Sequence, residues 1–366
     1  MKILLVTDLY PIFEDEKLIP KTIEDFVLGL KSLGDDVEVF RPNLIPNVLA
    51  RGRKIQKSAN YFHNGIKIYN RNYFFDFALN LNFLPNNFDI IVSHMPTGAL
   101  FGAQVAKKLN LPHIHILHSS DITVLEDLKY HYFGKKIKNI LNKLPALGAR
   151  APWIKQKVQN LFPDKEIFIT PSGIKPQEIN QEELLKKFED DNFTITTVAQ
   201  LIKRKNIDKL ICAFAKTNQN CMLNIIGSGV CEKKLKTLAK KLKIKNIHFL
   251  GQKTKNEVFE VLKKSQIFIL PSKNETFGMA YLEALSFGCI AVCTNNSGLC
   301  GYIKNNQNGF LINPNREDIE NILEKILKMD KNKLKEIAKN GLKIAQELNY
   351  KDCVENYQNN IKKFLH

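Results

Sequence analysis

The chain opens on a short apolar run, Lys2-Ile3-Leu4-Leu5-Val6-Thr7, and reaches a second, Val37-Glu38-Val39-Phe40, after one helical period pattern. Between them Ile23, Phe26, Val27, Leu30 and Leu33 recur at three- and four-residue steps, the spacing of one helix face. A short continuous apolar run suits a strand buried on both faces, and such a strand needs helices above and below it. Strand, helix and strand in this order predict a βαβ unit and hence a parallel, doubly wound α/β sheet. Thr22 and Asp25 read as an N-cap and its capping-box partner, and Gly34 as the stop.

The alternation continues along the chain. Residues 90–92, 113–117 and 168–169 read as strands and residues 98–109 as a helix. Residues 175–192 are polar and charged and read as a linker. A second series starts at Thr194-Ile195-Thr196-Thr197-Val198, with further strands at 223–226, 247–250, 267–270 and 290–292 and helices at 207–216, around Leu235, Leu238 and Leu242, and around Ile319, Leu323 and Ile326. With 366 residues, the prior is two domains. One architecture used twice, two Rossmann-like halves facing across a cleft, is the expected fold. Its ligands belong at the carboxyl ends of the strands.

Composition narrows the class. Apolar residues at 44% and charged residues at 25% exclude a disordered chain and a coiled coil. No apolar run reaches the roughly 18 residues of a membrane span, and the first apolar run is too short for a signal peptide. Seven Cys without a C-x-x-C pair point to a reducing, cytoplasmic compartment rather than a disulfide framework. The net charge of +17 is spread over both halves. It fits a solvated Lys-rich surface, or attraction to anionic lipid or a phosphorylated substrate. Nucleic acid is not expected as a partner, because no recognition motif for it occurs.

The most specific segment is residues 271–288, PSKNETFGMAYLEALSFG. An apolar strand ends at Pro271-Ser272, a polar loop follows, and a helix then carries Glu283. If that helix starts near Phe277, its free N–H groups suit a phosphate. Gly278 lets backbone approach a ligand, and Glu283 can accept two hydrogen bonds from a ribose diol. Glu275 and Glu283 with seven residues between them, then Ala284 and Ser286-Phe287-Gly288, resemble glycosyltransferase family 4, the retaining GT-B enzymes. Val198-Ala199-Gln200-Leu201-Ile202-Lys203-Arg204-Lys205 is similar to the family's strand-turn that ends in a pyrophosphate-binding Lys. Ile225-Ile226-Gly227-Ser228-Gly229 matches its glycine turn, Phe249-Leu250-Gly251 its nucleobase-side loop, and Asn308-Gly309-Phe310-Leu311 its late turn. Leu9-Tyr10-Pro11, His118-Ser119-Ser120-Asp121 and Pro171-Ser172-Gly173-Ile174 match more weakly.

The resemblance implies transfer of a sugar, with retention, from a UDP- or GDP-sugar to a glycan, lipid-linked or lipopolysaccharide-type acceptor. It implies a catalytic set of Lys205, Glu275 and His118. Lys205 would neutralise the departing diphosphate and Glu283 would hold the ribose. Glu275 with Thr276, Phe277, Gly278 and Met279 would touch the donor sugar and its phosphates. Gly227 and Gly251 would border the nucleotide. It implies an N-terminal domain of residues 1–175, onto which a closing helix at 350–366 packs back, and a donor-binding domain of residues 176–349. The chain departs from the pattern at Gln200, where the family has Arg, so Arg204 or Lys203 is the candidate substitute charge. It departs again at Phe13-Glu14-Asp15-Glu16-Lys17, which stands where two Gly are usual.

No D-x-D occurs, so a metal-bridged diphosphate has no evident ligands. No metal and no cofactor are expected, and charge neutralisation falls to Lys205 and helix N-termini. Three alternatives stay open: a nucleotide-sugar epimerase of the same fold, a nucleotide-sugar binding protein without turnover, and a metal hydrolase using His113 and His115. Residues 134–144, GKKIKNILNKL, fit a core-facing helix or an interfacial one that would place the protein peripherally on an anionic membrane.

Overall fold

The structure is a computed structural model, described over residues 1–13, 21–50, 54–74, 79–177, 180–217 and 221–365. Residues Glu14 to Lys17, read from the sequence as a departure from the family pattern, lie outside these. The chain forms two compact units, one of residues 1–150, 154–171 and 351–366, the other of residues 151–153 and 172–350. The division falls at Pro171, four residues before the boundary expected from the sequence.

The first unit is built on eight strands: β1 (Lys2–Val6), β2 (Asp36–Leu44), β3 (Ala59–His63), β4 (Ile66–Tyr73), β5 (Ile90–His94), β6 (His113–Leu117), β7 (Ala146–Ala149) and β8 (Glu166–Ile169). Their order is β3-β4-β2-β1-β5-β6-β7-β8. Only β3 against β4 is antiparallel. Ile3 to Val6 and Ile90 to Val92 are fully buried, as strands covered on both faces must be. The first helix, Thr22–Ser32, differs from expectation at its start. Thr22 is already helical, Lys21 holds the cap position in a helical conformation, and no side chain caps it. Glu24 and Asp25 sit in the first turn, where the helix dipole favours them. Glu24 is turned inward, accepting from His63 Nε2 at 2.8 Å and Asn64 Nδ2 at 2.7 Å.

The helix His131–Lys143 decides between the two readings of residues 134–144. Ile137 and Leu141 are fully buried and its lysines lie outside, so the stripe faces the core. The interfacial reading of that stripe is therefore corrected. The last helix, Tyr350–Lys362, closes the first unit from residue 351 onward. It buries Cys353, Val354, Tyr357 and Ile361 at helical spacing. Gln358 Nε2 donates to Asp35 Oδ2 at 2.8 Å, and Asp35 Oδ1 takes the N-terminal ammonium at 3.0 Å.

The second unit is a six-stranded, all-parallel sheet of β9 (Phe193–Val198), β10 (Cys221–Ile226), β11 (Ile247–Gly251), β12 (Ile267–Ile269), β13 (Ile290–Thr294) and β14 (Phe310–Ile312). The order is β11-β10-β9-β12-β13-β14, which puts the carboxyl ends of β10, β9, β12 and β13 side by side. The segment read as a linker belongs to this unit. It forms the helix Gln181–Leu185 and a 3₁₀ turn, Lys186–Glu189, anchored by buried Leu184 and Phe188. Two apolar anchors in a charged stretch were too sparse to register as a helix face.

Tyr357 supplies a test of the closing helix. Its hydroxyl lies 2.7 Å from His94 Nε2, and both side chains are fully buried. Tyr357→Phe is expected to leave that nitrogen unpartnered and to cost about 1–3 kcal/mol, read as a lower urea midpoint for the first unit.

Candidate functional site

The loop after β9 carries the densest polar cluster of the second unit. It is fixed on both sides by backbone. Ala199 N donates to Ile226 O at 3.0 Å and Leu201 N to Ser228 O at 2.8 Å, tying it to the loop after β10. Lys273 N donates to Arg204 O at 2.8 Å, and Asn206 Nδ2 to Pro271 O at 2.8 Å, tying it to the loop after β12. Asn206 takes the left-handed conformation that ends the 3₁₀ turn Lys203–Lys205 and starts the next helix. The turn thereby directs Lys205 at Glu275.

Lys205 is 7% exposed and its ammonium bonds Glu275 Oε2. Arg204 Nη1 donates to the same oxygen at 3.3 Å, and Ser272 Oγ at 3.1 Å. Glu275 is also held by its backbone, with its N–H on Ser297 Oγ at 2.7 Å and its carbonyl accepting from Gly298 N at 2.7 Å. Burial alone would raise the Glu275 pKa. Lys205 first and Arg204 second outweigh it and hold the carboxyl below its usual value. The cluster thus carries two cations on one carboxylate, a net positive charge at the carboxyl ends of β9 and β12.

The other residues singled out from the sequence have separate places. Glu283 lies on the helix Met279–Ser286 and pairs with Lys255 Nζ at 3.6 Å, outside the Lys205 cluster. Burial raises its pKa, and Lys255 opposes the rise. The helix begins at Met279 and not near Phe277, because Gly278 occupies the cap position at φ 78°. Phe277 is 3% exposed and is a core anchor, its ring edge-on to Tyr302. Thr276 O accepts from Trp153 Nε1 at 3.1 Å. Gln200 is exposed, four residues from the Arg204 that reaches Glu275. Gly227 is required by contact: a Cβ there would lie 1.9 Å from Ala199 O, and its φ is +130°. Its N–H donates to Gly251 O at 2.8 Å, so the loops after β10 and β11 meet at these two glycines.

His118 belongs to the first unit, at the end of β6. Its Nε2 is 3.0 Å from His94 Nδ1, whose own ring continues to Tyr357. Asp121 Oδ2 accepts from His118 N at 2.7 Å, and Asp121 Oδ1 faces His115 Nε2 at 3.0 Å. Ser93 Oγ is 2.8 Å from His115 Nδ1 and 2.7 Å from His113 Nε2. With Asp121 as acceptor, His115 carries its hydrogen on Nε2, Ser93 donates to His115 Nδ1, and His113 Nε2 donates to Ser93. His113 Nδ1 is then the bare nitrogen, and it is the ring atom left without a partner. Ser93, His115 and Asp121 have the connectivity of a nucleophile, base and orienting carboxylate, yet each is fully buried from any substrate. Among the described residues no group of three His, Cys, Asp or Glu is arranged to hold a metal ion.

Comparison with known proteins agrees with this geometry. The model described as Glycosyltransferase Family 4 matches residues 20–178, and the one described as Glycosyl transferases group 1 matches residues 177–344. An uncharacterized glycosyltransferase of Methanocaldococcus jannaschii is 28% identical over 271 residues, 73% of each chain. The alpha-monoglucosyldiacylglycerol synthase of Acholeplasma laidlawii is 27% identical over 247 residues, 61% of this chain and 62% of that protein. The chain belongs to glycosyltransferase family 4. Its fold is GT-B: the solved structure of Anabaena HepE in complex with UDP superposes at a TM-score of 0.74, with 16% identity, over 99% of this chain and 100% of that one.

Several residues of this glycosyltransferase's polar clusters were not singled out from the sequence. Ser272 stands inside a quoted motif and Ser297 in none, and their hydroxyls orient Glu275 only once β12 and β13 lie side by side. Lys255 is one Lys in a Lys-rich stretch. Tyr357 reaches His94 across 263 residues of chain and has no local signal.

The buried imidazoles predict a pH dependence. Burial drives the pKa of His94 and His118 well below the ordinary 6.5 and pushes that of His113 down to about 3. Unfolding releases them to titrate normally. Stability is therefore full above about pH 6.5 and is lost as pH falls below it, with a slope that approaches about 4 kcal/mol per pH unit for three protons. Urea titrations at pH 7.5 and 5.5 check this, and equal midpoints for the first unit would contradict it.

Proposed function

We propose that this family 4 enzyme transfers a sugar from a nucleotide-diphosphate-sugar, a UDP- or GDP-sugar, to a lipid-linked or glycan acceptor, with retention at the anomeric carbon and without a metal. The observation that carries the reading is the Lys205–Arg204–Glu275 cluster. A diphosphate that reaches it meets two fixed cations offset by one carboxylate. As the bond from anomeric carbon to phosphate oxygen breaks, negative charge grows on the leaving diphosphate. Prepositioned cations stabilise that charge without reorganising, which is commonly a large term in catalysis. Glu275 holds Lys205 in place before the donor arrives and yields part of its bonding to the phosphates. Gly227 lets the backbone after β10 lie close to the nucleotide, and the Glu283 carboxylate accepts from the ribose hydroxyls.

The nucleotide assignment is supported by HepE, whose solved complex contains UDP. The acceptor class is supported by the Acholeplasma relative, named for a glucosyl-diacylglycerol product. Among the described residues no helix is long and apolar enough to cross a membrane. The reading therefore has the enzyme meet a lipid-linked acceptor at the cytoplasmic surface of a membrane, with the chain's net charge of +17 drawing it to anionic lipid. His118 would contact the donor sugar only by exchanging its bond to His94 for one to substrate.

Two measurements test the reading. A thermal-shift screen against UDP, GDP and ADP, each with and without EDTA, is expected to show stabilisation by one nucleotide that survives the chelator. Lys205→Ala and Glu283→Ala are each expected to lower kcat/KM by about a hundredfold or more. Near-normal turnover in both variants would remove the site assignment, and stabilisation abolished by EDTA would remove the metal-free mechanism.

A further inference from the structure

Glu283 presents a problem that the ribose role does not solve by itself. The side chain is 18% exposed, and burial pushes its pKa upward, toward the neutral acid, in which one oxygen carries a proton and the other is a weaker acceptor than a carboxylate oxygen. A nearby cation opposes that rise and fixes the direction in which the carboxylate points. Its helix packs on the helices Lys331–Glu347 and Lys255–Lys264 and on β12 and β13. Of the charged groups on those elements, Lys255 is the one that reaches Glu283, with Nζ 3.6 Å from Oε1.

Lys255 is itself placed with care. It is the first residue of its helix, directly after the cap Thr254. Thr254 and Glu257 bond reciprocally, Glu257 Oε2 taking the Thr254 N–H at 2.8 Å, and Lys253 Nζ pairs with Glu257 Oε1 at 2.8 Å. One turn on, the Phe259 ring lies 5.4 Å beneath the Lys255 ammonium, and Phe259 in turn packs on Phe287 at 4.8 Å. The ammonium is thus held between an aromatic face and the Glu283 carboxylate, although its side chain is 64% exposed.

We propose that Lys255 is the positioning residue for Glu283, keeping that carboxylate ionised and aimed so that the donor's ribose diol, and not only its diphosphate, is recognised. The inference rests on the assignment of Glu283 to the ribose. Lys255 acts through Glu283 and makes no bond to the donor itself. Removing it raises the Glu283 pKa further, so recognition of the diol fails at a higher pH than in the unaltered enzyme.

The test is a binding comparison by calorimetry with UDP and with 2′,3′-dideoxy-UDP, which lacks the diol. It uses the full chain and the variants Lys255→Ala, Lys255→Arg, Glu283→Gln and the Lys255→Ala/Glu283→Gln pair. Lys255→Ala is expected to lower the preference for UDP over the dideoxy analogue by about three- to tenfold at neutral pH. Its acid limb of UDP binding should move to higher pH, and Lys255→Arg should restore both. In the Glu283→Gln background, Lys255→Ala should add little. If Lys255→Ala weakens both nucleotides equally, or acts as strongly without Glu283, Lys255 touches the donor directly and the inference is overturned. If Glu283→Gln leaves the UDP preference intact, or the unaltered enzyme shows no preference, the ribose assignment itself fails. Melting curves of each variant separate these outcomes from misfolding, which the exposed position of Lys255 makes unexpected.

Discussion

One ion pair joins the loops of the second unit that backbone hydrogen bonds already bring together. Lys205 and Glu275 are both largely removed from water, and neither charge could remain there alone without a desolvation cost of several kcal/mol. Because each needs the other, the loops that carry them are held in register. The 3₁₀ turn after β9 must face the loop after β12, and the Ser297 hydroxyl from the loop after β13 must meet the Glu275 backbone. A charge-paired resting state also suits a site for an anion. On the proposed function, phosphate oxygens that reach this lysine compete with a carboxylate rather than with bulk water.

The first unit buries its polar groups in a different way. β5, β6 and the residue after β6 carry His94, His113, His115 and His118, four imidazoles within one hydrogen-bonded system that includes Ser93, Asp121 and Tyr357. An imidazole whose nitrogens serve as one donor and one acceptor satisfies both without water, and the chain from Asp121 through His115 and Ser93 to His113 Nε2 is ordered in this way. Both ring nitrogens of His115 and the Nε2 of His113 are already engaged by Ser93 and Asp121.

Much of the fold was legible because its signals are local. The buried strands are short apolar runs, and the Glu275–Glu283 segment carries its glycine, its carboxylates and its helix within 18 residues. What was missed depends on tertiary context. Thr22 offered a capping side chain, but Lys21 is already helical, so the cap went unused. The polar stretch from 175 hid two anchors, Leu184 and Phe188, whose burial exists only against the second unit. Lys255 and Tyr357 matter through partners far along the chain, and no spacing rule identifies such a residue before the sheet order is known.

Gln200 and Arg204 lie on one loop and have different surroundings. Position 200 is exposed and its carbonyl is occupied by Ile202 N–H at 2.9 Å, so its side chain leaves from the outer edge of the turn. Arg204 stands beside Lys205, and its guanidinium reaches the same Glu275 oxygen as the Lys205 ammonium. Two cations therefore stand around one carboxylate, and they differ in kind. One is compact and buried, the other planar and half-exposed, able to turn toward a phosphate without losing its solvent contact. A guanidinium at that place offers paired donors to phosphate oxygens, which an amide at position 200 could not. The loop therefore sets one buried and one half-exposed cation on a single Glu275 oxygen, with no charge contributed from position 200.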